Sequence, residues 1–496
     1  MKEIKTFRNM VKKQKSYAYF LQVTGWDSHT EAPEESFKRR AEMVGRLSGD
    51  LFEMETSEEY ASVVNHLYGN IGELDDELAR EIRLAKKDLD KITTIPKEEY
   101  VEYNKLKQRA QKIWEKAKAN DDYESFRPVL EKIIDYQKRF IAYYGSDKLP
   151  YDVLLDEFEE DMTMKDYDAF FDALKKDLVP FVKEILKKKP KRNDAFRKAS
   201  YPADKQKDFV RYLMKVLDYD LNRGLLKESV HPFTWNTSPD DVRFTVRYHE
   251  DYMFASVFAA IHELGHATYE QGVDRRFDDT LLSSGASMGI HESRSRFYEN
   301  MIGRSRAFWD THFSELKKRF PEQLNDVDEN DMYQAVNKVE PSLIRIEADE
   351  LTYPLHIMLR YELEKKLITG ALDTKALPMA WNKLMKEYLD ITPQSYSEGV
   401  LQDVHWSGGM FGYFPTYALG TAYAAQIYHT MQKDFDIDQA IKDNRLADVK
   451  AWLNDRIHRH GKRLSPKALL KEVTGEDLNP DYYIDYLKEK YSELYE

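Results

Sequence analysis

The pentapeptide His262-Glu263-Leu264-Gly265-His266 places two imidazoles four residues apart, and a helix turns that spacing into a shared face. At 3.6 residues per turn the two rings project about 40° apart, one above the other, where both can bond one metal ion. The flanks agree. Val257-Phe258-Ala259-Ala260-Ile261 precedes, Ala267-Thr268-Tyr269 follows, and no proline intervenes before Gly272, a plausible C-terminal stop. The pattern predicts a buried amphipathic helix whose small residues, Ala259, Ala260, Gly265 and Ala267, let neighbours approach closely. Glu263 lies beside the open position of such an ion, where a carboxylate takes a proton from water and hands it to a leaving amine. The implied chemistry is metal-dependent hydrolysis. From the pentapeptide alone, two ordinary helical histidines are the simpler alternative.

A catalytic zinc-type ion usually has three protein ligands, and the chain has no cysteine, so the third must be His, Asp or Glu. Glu292 is the choice, placed after the loop Gly272–Gly289 on a second helix opening near Ile290. Glu270 and Glu299 compete. Glu270 lies on the same helix as His266, and one helix rarely supplies all three ligands. Glu299 suits a partner to a ligand or an ion pair with Arg296. One divalent ion per chain is expected, Zn2+ first, with Co2+ or Mn2+ as alternatives.

The net charge of −13 argues against nucleic-acid binding, and the basic run Lys187 to Arg192 reads as a solvated helix end. No apolar stretch of signal-peptide or membrane-spanning length occurs, so a soluble cytoplasmic protein is expected. Only 20 glycines and 17 prolines in 496 residues suit long helices joined by short turns. The expectation is a mainly α protein formed as one domain, residues 1–496. Charged amphipathic helices over 1–145, such as Phe37 to Met54 and Asp75 to Lys91, would cover a groove, and 225–425 would hold the site motifs. Another helix is predicted from Met162 to Leu186.

One strand signal stands out. Val242, Phe244, Val246 and Tyr248 alternate with Arg243, Thr245 and Arg247. Thr237-Ser238-Pro239-Asp240-Asp241 is a turn cluster, and His231-Pro232-Phe233-Thr234-Trp235 before it is the expected partner strand. A β-hairpin directly before the metal helix follows, with an edge to which an extended peptide can pair. Downstream, Ile344 to Asp349 is expected to continue into a helix through Leu363, with Arg345 and Asp349 as an i, i+4 ion pair. Gly399 to Tyr417 mixes glycines with His405, Tyr413 and Tyr417, a composition suited to a site loop whose donors stabilise an oxyanion.

Taken in order, these segments closely resemble the carboxypeptidase Taq family of metallocarboxypeptidases, helical enzymes of the zincin group. The matching elements are His231-Pro232-Phe233, Asp241-Val242-Arg243-Phe244-Thr245, the metal helix, His291-Glu292-Ser293, Arg345 to Asp349 and Gln402-Asp403-Val404-His405-Trp406. Trp26-Asp27 and Thr30 to Pro33 match more loosely. The resemblance implies an almost wholly helical fold with a deep central groove, a homodimer, and removal of C-terminal amino acids with broad side-chain tolerance. It supports His262, His266 and Glu292 as ligands and Glu263 as base. It marks His231, Arg243, Arg345 and Gln402 as substrate-binding candidates, the two arginines for the terminal carboxylate. A zincin oligopeptidase cutting inside short peptides is the alternative, since only the closed end of the groove would differ.

Overall fold

The computed structural model describes every residue except Met1, Ser146, Lys189 and Lys191, so two members of the basic run lie outside the described residues. The chain is mainly helical, and no helix among the described residues is long and apolar enough to cross a membrane. The first helix runs Lys2–Thr30, followed by Phe37–Glu55, Glu58–Gly69 and Asp76–Thr93, close to the helices expected there. Phe7, Val11, Tyr60, Val64, Leu67, Leu78 and Ile82 of these helices bury a small core of their own, against which Leu281 packs. Lys97–Ala119 and Tyr123–Tyr143 join the main core instead. The helices of 1–145 thus bury their apolar faces in two different cores, the change falling near Thr93.

The sheet has three strands, β1 (Gly224–Glu228), β2 (Thr234–Ser238) and β3 (Asp241–Val246), in the order β1-β3-β2. The expected hairpin is present as antiparallel β2 and β3, but β2 begins at Thr234 rather than His231. Pro232 lacks an N–H to donate, so regular pairing does not extend back to His231, although the Phe233 carbonyl still accepts from Thr245 N–H of β3 at 2.9 Å. β1, which pairs in parallel with β3, carries no alternation that would reveal it. Val242, Phe244 and Val246 are fully buried on the central strand, which packs on the following helix, Met253–Gly272.

That helix is buried on nearly every side. Its less buried stripe, Ala255, Ala259, His262 and His266, follows the helical period, and its first three members line a cleft of about 930 Å³. The next helix, Met288–Arg296, is capped by Ser287, whose hydroxyl accepts from Ile290 N–H at 3.0 Å. Glu159 adds a second cap. Its carboxylate accepts from Gly289 N–H at 2.9 Å, from Ser287 Oγ at 3.0 Å and from Tyr423 OH at 3.2 Å. A π-helical turn, Phe297–Gly303, continues the chain, a form concentrated at functional sites.

Burial pushes the Glu159 carboxyl up to about 7, against the pull of its three donors. Because the folded value lies above the unfolded one, its contribution to stability is full below about pH 4.5 and is lost as pH rises through 7, up to about 3 kcal/mol. In Glu159→Gln the amide oxygen can face Gly289 while its NH2 donates to the two hydroxyls. Urea titrations at saturating metal should therefore show a shallower loss of stability between pH 5 and 7.5 in Glu159→Gln than in the wild type. Parallel profiles would refute the assignment.

Candidate metal centre

His262, His266 and Glu292 converge, with one ligand atom from each lying within 4.8 Å of the others. Glu292 Oε2 is 3.6 Å from His262 Nε2 and 3.7 Å from His266 Nε2. Two glycines permit this. A methyl group at Gly265 would meet the Arg294 carbonyl at 2.6 Å, so the two helices touch backbone to backbone. One at Gly420 would meet Glu292 Cβ at 2.7 Å, so the helix Pro415–Gln432 presses Glu292 from its other side.

Each of these three side chains is held from behind. His262 Nδ1 lies 2.9 Å from Glu299 Oε2, and Arg296 and Arg304 donate to the same carboxylate at 3.2 and 3.0 Å. Burial alone would raise the Glu299 carboxyl, but Arg296, His262 and Arg304 hold it well below the usual carboxylate range. Arg296 also donates to Glu292 Oε1 at 2.7 Å, leaving Oε2 turned toward the histidines. His266 Nδ1 meets His291 Nδ1 at 2.6 Å. Two imidazole nitrogens and a carboxylate oxygen, each fixed by an outer partner, form a donor set that fits a small divalent cation with an open coordination position.

Glu263 is buried beside this cluster. Thr234 Oγ1 on β2 donates to its Oε2 at 2.7 Å, and burial raises its pKa against the opposing pull of His262 and that hydrogen bond. A raised value suits a base that must return its proton.

The model of the carboxypeptidase Taq (M32) metallopeptidase family matches residues 6–491. The chain is 43% identical to Carboxypeptidase 1 of Bacillus subtilis over 492 residues, covering 99% of this chain and 98% of that one. It is 38% identical to Thermostable carboxypeptidase 1 of Pyrococcus furiosus, covering 95% and 94%. The chain belongs to this family. Its fold is the family's too: the crystal structure of M32 carboxypeptidase from Deinococcus radiodurans R1 superposes with a TM-score of 0.96 at 33% identity over all of both chains. This M32 chain is thus a metallocarboxypeptidase, and its chemistry requires a divalent metal ion.

The remaining expected site residues separate into two groups. His405, Tyr413 and Tyr417 of the M32 chain form one cluster, with His405 Nε2 at 3.5 Å from Tyr417 OH and the His405 and Tyr413 rings 5.6 Å apart. Burial pushes His405 down to about 4 despite Asp403, so its ring is neutral at pH 7. Burial keeps both phenols protonated, and the charge of Glu292 adds to the effect. Arg345 lies 5.1 Å from the Tyr417 ring centre. The expected Arg345–Asp349 pair is absent. Arg345 sits in a single 3-10 turn, Arg345–Glu347, and the next helix starts only at Tyr353, with Pro354 in its first turn. Its guanidinium donates to Asp403 at 2.8 and 3.0 Å and to Tyr353 OH at 3.0 Å. Asp349 instead accepts from the backbone of Glu340, Leu351 and Thr352.

Gln402 spends its hydrogen bonds inside the protein. It accepts from Arg345 N–H and Arg360, and it donates to the carbonyls of Leu343 and Glu398. Arg243 is ion-paired with Asp241 on its own strand, 5.7 Å from the Trp26 ring of the first helix, and His231 is exposed. Neither hydrogen-bonds to the three-residue cluster. Sequence reasoning missed Thr234, Arg304 and Asp403, which come from distant segments; only Arg296, four residues after Glu292, left a local signal.

Glu292→Ala should leave the purified protein with almost no bound metal after dialysis, measured by elemental analysis. Gly420→Ala changes no proposed ligand, yet its methyl group must displace Glu292. Its metal Kd should rise roughly tenfold or more, and an unchanged Kd would show that Glu292 tolerates displacement.

Proposed function

We propose that this enzyme removes C-terminal amino acids one at a time from peptides, with broad side-chain tolerance, using Glu263 as general base. The carrying observation is the placement of Glu263, buried against the His262, His266 and Glu292 cluster and aimed by Thr234. Those three residues would hold the ion, zinc being the choice their chemistry favours, with cobalt or manganese as substitutes. When bound, such an ion polarises the scissile carbonyl and acidifies water. Glu263 takes the proton as the water oxygen bonds to the carbonyl carbon. It then passes that proton to the amide nitrogen as the C–N bond breaks, releasing the terminal amino acid and a shortened peptide. Neutral His405 and the protonated Tyr413 and Tyr417 are the donors available to the transient oxyanion.

For the terminal carboxylate, the surroundings favour Arg345 over Arg243. Arg345 lies among Tyr353 and Tyr417 beside the cluster, whereas Arg243 contacts the first helix. His231, exposed outside β2, and Gln402, which holds the Arg345 backbone, would contribute to substrate binding indirectly. The resemblance implies a homodimer, and a chain without cysteine is compatible with a reducing cytoplasm.

Glu263→Gln should keep its metal and lose turnover by about 10²- to 10⁴-fold; substantial activity in the metal-loaded variant would reject the base assignment. Arg345→Met should lower kcat/KM for free-carboxylate peptides roughly ten- to hundredfold, the worth of a charge-assisted hydrogen bond, while Arg243→Met changes it far less. Mass spectrometry of a ten-residue peptide should give a ladder of singly shortened products, and its C-terminal amide should resist cleavage. Internal fragments would establish the oligopeptidase alternative.

A further inference from the structure

Glu270, one turn beyond His266, is not part of the three-residue cluster, yet it is 2% exposed and its partners lead back to that cluster. Its Oε2 accepts from Asn236 Nδ2 at 2.8 Å. Its Oε1 accepts from Gly285 N–H at 3.0 Å and lies 2.8 Å from His291 Nε2. The other nitrogen of His291 is the one 2.6 Å from His266 Nδ1. Three side chains, Glu270, His291 and His266, thus form one continuous line ending at the proposed metal position.

The direction of the hydrogens along that line is determined by its ends. A carboxylate can only accept, so His291 Nε2 carries a proton and donates it to Glu270. In a neutral ring the Nδ1 of His291 is then an acceptor, and the proton between the two imidazoles belongs to His266 Nδ1. His266 is left with a bare lone pair on Nε2, the atom that faces Glu292. The reverse order would put a proton on His266 Nε2 and block coordination. A methyl group at Gly285 would meet His291 Cδ2 at 2.7 Å, so the intermediate ring has little freedom to turn.

We propose that Glu270 and His291 are positioning residues, a carboxylate–imidazole relay that fixes the tautomer and orientation of His266 and thereby sets metal affinity. The two ligand histidines are then backed differently. Glu299, behind His262, shares its charge with Arg296 and Arg304, whereas Glu270 accepts only from the neutral donors Asn236 and Gly285 beside His291, with no guanidinium hydrogen-bonded to it among the described residues. This inference rests on His262, His266 and Glu292 being the ligands.

The test measures metal Kd by chelator competition in the full-length protein, with a melt at excess metal to verify folding. His291→Leu should raise Kd about 10- to 100-fold. His291→Asn, whose Oδ1 can take the place of Nδ1 and accept from His266, should recover most of that loss. Equal losses in the two variants would reduce His291 to a packing role and overturn the relay, as would a Kd within twofold of wild type in folded His291→Leu. A second readout is independent of turnover. The Co2+ form should show two exchangeable, paramagnetically shifted imidazole N–H protons, one from each ligand histidine, and His291→Leu should leave the His266 proton open to solvent, so that its signal broadens or disappears by fast exchange while the other stays sharp. A single such proton in the wild type would mean that His266 carries none on Nδ1, which overturns the proposal even if His291→Leu does not fold. Glu270→Gln should retain both protons, because Gly285 N–H keeps the amide oxygen facing His291, with a smaller rise in Kd. Retention of metal by His262→Ala and Glu292→Ala would instead refute the ligand set itself.

Discussion

The approach of two backbones at Gly265 governs the geometry of the centre. Here the helix carrying His262 and His266 and the helix carrying Glu292 lie closer than ordinary side chains permit. With any Cβ at Gly265 in van der Waals conflict with Arg294 and Ser295, the helices could not keep this distance. Gly420 repeats the device on the opposite side of Glu292. The Glu292 carboxylate is therefore wedged between two helices and steered by Arg296.

Close packing brings charge into a dry interior, and the surrounding residues answer it. Glu292 and Glu299 share Arg296, and Arg304 supports Glu299. Farther out, Asp403 accepts from Arg345 and from Arg360, whose own carbonyl and amide contacts close the knot. Burying one member of such a network without the others would cost several kcal/mol, so the groups act as a unit. Arg296 stacks over Tyr353, and Tyr353 accepts from Arg345. The metal cluster and the proposed carboxylate-binding arginine are joined through that one phenol.

The parts legible in the sequence were those with local periodicity. Two histidines four apart in an apolar run pointed to the helix Met253–Gly272, and choosing Glu292 over Glu270 and Glu299 pointed to the following helix, which does pack against it. The alternation in β3 was equally readable, because one face is buried and the register is strict. β1 was not, since Gly224-Leu225-Leu226-Lys227-Glu228 gains its strand form by pairing with β3 rather than from its own pattern. The Arg345 region shows the opposite error. An i, i+4 spacing suggested a helix, but Pro354 starts the helix late, and Arg345 finds Asp403, 58 positions away. Partners that far apart leave no periodic trace, which is also why Glu159 escaped notice as the cap of the ligand helix.

Glu270 illustrates how a rejected ligand acquires a different role. It lies four residues after His266 and so shares its helix face, the same reason that made it a competitor for the ion. Placing all three ligands on one helix would leave them on one side of the metal, whereas a catalytic ion needs ligands spread around it with one corner open. Glu270 accordingly lies outside the cluster of His262, His266 and Glu292, while helical geometry keeps its carboxylate within reach of whatever packs over that face. The packing partner is His291, adjacent in sequence to Glu292, so one short helix delivers both the ligand and the ring that orients another ligand. The neighbouring pair His291-Glu292 divides the work because consecutive helical residues point about 100° apart, one toward the metal position and the other toward the back of His266.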